Sequence, residues 1–163
     1  MFKFKASDLP EILTRWSARY TVFVPSGSPD NVQMRIWSRR TRKEARFMEP
    51  DEYTNLSVAP KGFVFGEREE LFRWEGSEKT CTAVSAPSSS SLQEEDKILF
   101  GLRPCDTYGL AYMDRFFLGE HHDINYHLRR QHVFIVAVNC LNAGPECYCA
   151  SMGTGPFAVS KPS

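Results

Sequence analysis

Four cysteines set the chemistry open to this sequence: Cys105, Cys140, Cys147 and Cys149. Cys105 follows the apolar run Lys97–Leu102 inside Arg103-Pro104-Cys105-Asp106. Cys140 follows the apolar run 132–138, and Cys147 and Cys149 stand one residue apart in a loop that carries Gly144, Pro145, Gly153 and Gly155. Thiolates are soft ligands, and four of them suffice for a [4Fe–4S] cluster or a tetrahedral zinc ion. The spacing C-x34-C-x6-C-x-C is neither the compact run of a bacterial ferredoxin nor a pair of C-x2-C zinc knuckles. Spacing alone therefore leaves three readings open: an iron–sulfur site, a zinc site using the same ligands, or thiols buried as small apolar side chains.

Composition narrows the classes. The 163 residues suit one domain with a core of its own. Lysine plus arginine equals aspartate plus glutamate, 20 of each, so the basic excess of a nucleic-acid binder is missing. No apolar run approaches the length of a membrane span. The start, MFKFKASDLPEIL, has neither a continuous apolar stretch nor a small-residue cleavage site, so no signal peptide is expected and the cytoplasm is the expected compartment. Thiols stay reduced there, and an odd count of five cysteines also argues against a disulfide framework. Cys81 lies apart from the others and reads as structural or free.

The elements that must position the four thiols are legible in part. Leu9, Ile12, Leu13, Trp16 and Tyr20 recur at helical spacing behind a Ser7 cap. Residues 21–25 and 32–37 read as strands about a turn at Gly27, Pro29, Asp30 and Asn31. The basic run Arg39, Arg40, Arg42, Lys43 and Arg46 reads as a solvated loop, with an acidic docking partner as the sharper alternative. Phe63, Val64 and Phe65 form an apolar knot, and residues 71–74 a short strand. Residues 85–95 are polar, low in complexity and expected to be a surface loop. They divide a weakly patterned mixed part, 1–84, from a better patterned part, 96–157. There Lys97–Leu102 reads as a buried parallel strand, Asp106 as the cap of a helix over 107–118 stopped by Gly119, 123–130 as a second helix and 132–138 as a second strand. Strand, helix and strand joined by so long a connection imply a parallel pair. The expected fold is thus α/β, with α+β as the alternative: one domain with a parallel βαβ unit at its centre and a cysteine-bearing crevice at the carboxyl ends of its strands.

Parallel strands end at the same sheet edge, and loops leaving that edge form the crevice where open α/β sheets bind ligands. Cys105 and Cys140 are therefore expected in adjacent loops, with Cys147 and Cys149 folding back over them. The helix N-terminus and Arg103 are expected to lower the Cys105 thiol pKa, and the Gly153-Thr154-Gly155 turn to offer N–H groups to sulfur. That turn is weak as a dinucleotide fingerprint, though a flavin- or nucleotide-binding module stays open as an alternative. A cysteine nucleophile would want a histidine beside Cys105, and no spacing supplies one. His121, His122, His127 and His132 read as exposed or helix-end residues, and Arg129-Arg130 as a solvated pair at a helix C-terminus.

The strings GLRPCDTYGLAYMDRFFLG, Asp123, Tyr126, Arg129-Arg130 and NC…CYCASMGTGP resemble the A subunit of anaerobic sulfite reductase and, equally, the β subunit of cytoplasmic sulfhydrogenases. The likeness is specific over about residues 97–157 and loose before it. The resemblance implies an electron-transfer subunit, without catalytic residues of its own, that works beside a flavin-containing subunit and a catalytic subunit, with ferredoxin a further candidate partner. It implies that Cys105, Cys140, Cys147 and Cys149 ligate a [4Fe–4S] cluster. Members of the family continue into a ferredoxin-like C-terminal region with two more cysteine quartets. These 163 residues contain neither quartet, so the family's N-terminal domain alone, with one cluster, is the expectation.

Overall fold

The computed structural model describes residues 5–38, 47–66, 73–77, 80–84, 95–120 and 122–158. At its centre the apolar run Lys97–Leu102 forms β5, buried from Ile98 onward. A strand with neighbours on both sides and helices on both faces needs apolar residues at every position, not at alternate ones. Its neighbours are β1 (Thr21–Ser28) and β6 (Val133–Ala137), both parallel to it. β1 returns through the turn at Pro29 and Asp30 into antiparallel β2 (Asn31–Ile36), giving the order β2-β1-β5-β6. A separate hairpin pairs β3 (Arg73–Ser77) with β4 (Thr80–Val84), which carries Cys81. The expected α/β architecture with a central parallel pair is therefore present, and strands from both sides of the 85–95 segment share one sheet. That segment, up to residue 94, the basic run 39–46 and His121 lie outside the described residues.

Helices cover the two faces. On one face α1 (Leu9–Trp16) packs Leu9 and Leu13 against Val22, Val24, Ile98 and Phe100. On the other, α2 (Pro104–Phe117) and α3 (Ile124–Arg130) bring Leu110 and Tyr126 against Leu99, Leu102, Val133 and Val64. Each fully buried leucine or valine contributes about 1.5–3 kcal/mol. The Phe63-Val64-Phe65 knot joins this second core as expected: Phe63 meets Phe23 edge-on at 4.7 Å and Phe65 meets Phe117 at 5.0 Å between ring centroids. Among the described residues no helix is long and apolar enough to cross a membrane.

Three sequence expectations are corrected. Helix α1 begins at Leu9, not behind a Ser7 cap, because Ser7 lies in a 3-10 turn (Ala6–Asp8) with its hydroxyl donating to Asp8 Oδ1 at 3.1 Å; it ends at Trp16, short of Tyr20. Helix α2 begins at Pro104, three residues before the expected start. Proline suits a first helical position because its missing N–H has no partner there in any case. Asp106 is therefore in the first turn and not the cap. Arg130 is not solvated: its Nε donates to Asp114 at 2.9 Å and its Nη1 to the Val133 carbonyl at 2.8 Å, while Tyr126 Oη donates to the same Asp114 carboxylate at 2.6 Å. This cluster clamps α3 to α2, with Asp123 capping α3 by accepting from the Tyr126 N–H.

Candidate functional site

The sheet edge where β5 and β6 end carries the cysteines. Arg103 leaves β5 in an extended conformation and α2 starts at once, which puts Cys105 in the first helical turn. From β6 the chain passes through Asn139 and Cys140 into a loop that turns back on itself. The Cys140 N–H donates to the Pro156 carbonyl at 3.0 Å and the Ala158 N–H to Asn139 Oδ1 at 3.0 Å. The return brings Gly155 between Cys149 and Pro104. A Cβ on Gly155 would stand 3.1 Å from Cys149 Sγ, close enough that the cysteine side chain would have to shift, and 3.7 Å from Pro104 Cβ, an ordinary contact.

Cys105, Cys147 and Cys149 line one cavity of about 670 Å3, together with Asn55, Asp106, Tyr108, Tyr112, Tyr148 and Met152. Cys140 is not among its lining residues; it is near enough to Tyr53 for its charge to act on that phenol. Among the described residues no group of three or more His, Cys, Asp or Glu is close enough to hold a metal ion. The donors present nonetheless suit a sulfur-ligated group. Gly144 N–H donates to Cys147 Sγ at 3.3 Å, Asn55 Nδ2 approaches the same sulfur at 3.9 Å, and Gly155 leaves room at Cys149. Such N–H groups aimed at sulfur are the protein's means of tuning an iron–sulfur potential.

Two electrostatic expectations are overturned. The Cys105 thiol is pushed up, not down, from its ordinary value, first by desolvation and next by the Asp106 carboxylate, with Cys149 adding to it; N–H groups of the helix start oppose these and do not prevail. Arg103 does not offset them because its guanidinium points away. It is buried and donates to the carbonyls of Thr54 (3.0 Å), Asn139 (3.0 Å), Pro50 (2.6 Å) and Tyr53. The Gly153-Thr154-Gly155 turn offers no nest either: the Gly153 and Thr154 N–H groups donate to the Ala150 and Cys149 carbonyls. Asp106 also has a raised pKa, chiefly from burial, which its bond from the Arg103 backbone N–H and the Arg103 charge only partly offset.

The 53–55 segment was not legible as part of the site. It reads as irregular sequence, yet Tyr53 stacks under Arg103 at 4.1 Å and donates to the Gly101 carbonyl, Thr54 accepts from Arg103, and Asn55 reaches Cys147. No periodicity marks it, because each contact is made by a single residue of a loop to a distant element.

Tyr53 gives a pH signature. Burial first, then Asp106 and Cys140, raise its pKa from 10.0 to about 12 against the opposing Arg103 charge. A raised phenol pKa means that the stability it contributes is complete below about pH 10 and lost as pH rises through about 12. A phenolate absorbance titration of the folded chain is expected to show a late step near pH 12 that Tyr53→Phe removes. A difference curve centred on the ordinary tyrosine value would overturn the assignment.

Fold and site together define an α/β domain with a thiol-lined crevice at the ends of its parallel strands. No family model matches the chain, and no solved structure matches it. It is similar to the sulfhydrogenase 2 subunit beta of Pyrococcus furiosus, 30% identical over 103 residues, which is 63% of this chain and 28% of that protein. The likeness bears out the sulfhydrogenase side of the resemblance drawn from the motifs. The chain spans under a third of the length of this curated relative.

Proposed function

We propose that this chain is an iron–sulfur electron-transfer unit of a multi-subunit oxidoreductase of the sulfhydrogenase type, holding one [4Fe–4S] cluster on Cys105, Cys140, Cys147 and Cys149. The observation that carries the reading is the placing of Cys105 on the same cavity as Cys147 and Cys149, although the whole β5–β6 crossover separates them in sequence. When bound, the cluster supplies one-electron redox chemistry. The chain's own residues ligate it, and the N–H groups directed at sulfur set its potential. In this reading the domain passes electrons, and bond-making chemistry belongs to another subunit.

Binding a cluster turns these thiols into thiolates, so it releases protons. That release makes assembly weaker as pH falls. The exposed Tyr112, Tyr148 and Met152 around the cavity mouth suit a surface that another subunit covers, and a flavin-containing subunit and a catalytic subunit are the partners this reading assigns.

The test is iron and acid-labile sulfide per chain in anaerobically prepared protein. About four of each are expected. One zinc per chain with no labile sulfide would replace the cluster by a structural zinc on the same thiols, and a releasable flavin without iron would replace it by a flavin module.

A further inference from the structure

Arg103 is almost wholly buried, 1% exposed, in a position that no charged side chain occupies without strong compensation. Its compensation is unusual in being made of backbone. Four carbonyls accept from it, and they belong to two segments far apart in sequence: Pro50, Tyr53 and Thr54 from one loop, and Asn139 from the chain leaving β6. The Tyr53 ring closes the remaining face of the guanidinium. Two of the four tethered carbonyls adjoin a residue at the thiols. Asn139 precedes Cys140, Thr54 precedes the Asn55 that reaches Cys147, and Arg103 itself is two residues before Cys105.

We infer that Arg103 is a positioning residue: one buried guanidinium fixes the start of α2, the 50–54 loop and the Asn139 turn against each other, and so sets where Cys105, Cys140 and the partner of Cys147 stand. The role asks for arginine. Its planar group presents five N–H donors in fixed directions, whereas a lysine ammonium offers three donors from one point and cannot span the same carbonyls. As a consequence for the proposed cluster, on which this part rests, loss of the guanidinium leaves the cysteine-bearing segments without their shared tether.

The experiment compares Arg103→Met and Arg103→Lys with Asp114→Asn, which loosens the α2–α3 clamp away from the thiols and so controls for general loss of stability. In the metal-free chain, alkylation by iodoacetamide is followed residue by residue. Cys140 and Cys147 are expected to react roughly tenfold faster in Arg103→Met, less so in Arg103→Lys, and at the wild-type rate in Asp114→Asn. In chain loaded anaerobically with iron and sulfide, bound iron is expected to fall in Arg103→Met, less so in Arg103→Lys, and to stay at the wild-type level in Asp114→Asn. Wild-type alkylation rates in both Arg103 variants, or rates that rise equally in Asp114→Asn, would overturn the inference. Should wild type take up no iron while the alkylation pattern changes as expected, the positioning role stands and the cluster assignment falls.

Discussion

Serine at Cys149 is expected to take bound iron from about four atoms per chain to below one, and serine at Cys147 or Cys105 to do the same. Replacing sulfur by oxygen changes little in volume, so the fold is expected to persist. What changes is the ligand: a hydroxyl ionises far less readily than a thiol and is a hard donor, poorly matched to iron–sulfur chemistry. The loss should exceed a one-in-four share because a cluster assembles as a unit on its full ligand set and is not retained in proportion to the ligands left. Cys140→Ser is the informative case. Cys140 stands outside the cavity lining, its Sγ donating to the Asn142 carbonyl at 3.3 Å. Loss of iron there would show that the 140–142 turn moves to complete the set. Retention of four irons would remove Cys140 from the ligands. Cys81→Ser, on β4 and apart from the others in sequence, serves as the control expected to keep full iron content.

The parts of this site that the sequence displays are those built from repetition or adjacency. A six-residue uninterrupted apolar run, too short for a helix and bounded by polar residues, suits a strand covered on both faces, so β5 is readable. A parallel partner for it follows from the length of the crossover. Once that pair is granted, the meeting of Cys105 with the Cys147–Cys149 turn follows from topology. What stays hidden is set by single long-range contacts. Nothing in the pattern around residues 50–55 announces that three of its carbonyls will accept from Arg103. The direction of the Arg103 side chain cannot be inferred from its neighbourhood with Cys105, and with it went the sign of the Cys105 shift. A charge adjacent in sequence acts on a thiol only if the guanidinium faces it, and here four carbonyls compete for it more effectively. The misplaced start of α2 has a local cause: Asp106 is a good cap by type, but Pro104 already fixes the backbone dihedral that a first helical residue needs.

Alanine at Gly101 is expected to destabilise the chain by about 2–5 kcal/mol, a large share of the roughly 5–15 kcal/mol by which domains are stable. Two independent costs combine. Gly101 has φ +87°, a left-handed conformation that costs an L-residue about 1–2 kcal/mol. The added Cβ would also stand 2.8 Å from Pro25 Cγ and 2.8 Å from Tyr53 Oη, in a packed interior where forced overpacking costs about 1–3 kcal/mol. The position matters beyond its own strain. The β5–β6 register shifts between Phe100 and Leu102, so a residue is skipped at Gly101. Simple alternation would put Leu102 on the α1 face with Ile98 and Phe100; the bulge carries it to the α2 face with Leu99 instead. Arg103 and the α2 start inherit that turn. Equilibrium urea unfolding should show a lower midpoint at unchanged slope. Gly109→Ala gives the opposite sign in the same experiment. It lies in α2 with nothing within 4 Å of an added Cβ, so alanine should raise stability by roughly 0.5–1 kcal/mol through helix propensity alone. Equal behaviour of the two variants would refute the account of the bulge, and with it the reason Arg103 and Cys105 face the sheet edge as they do.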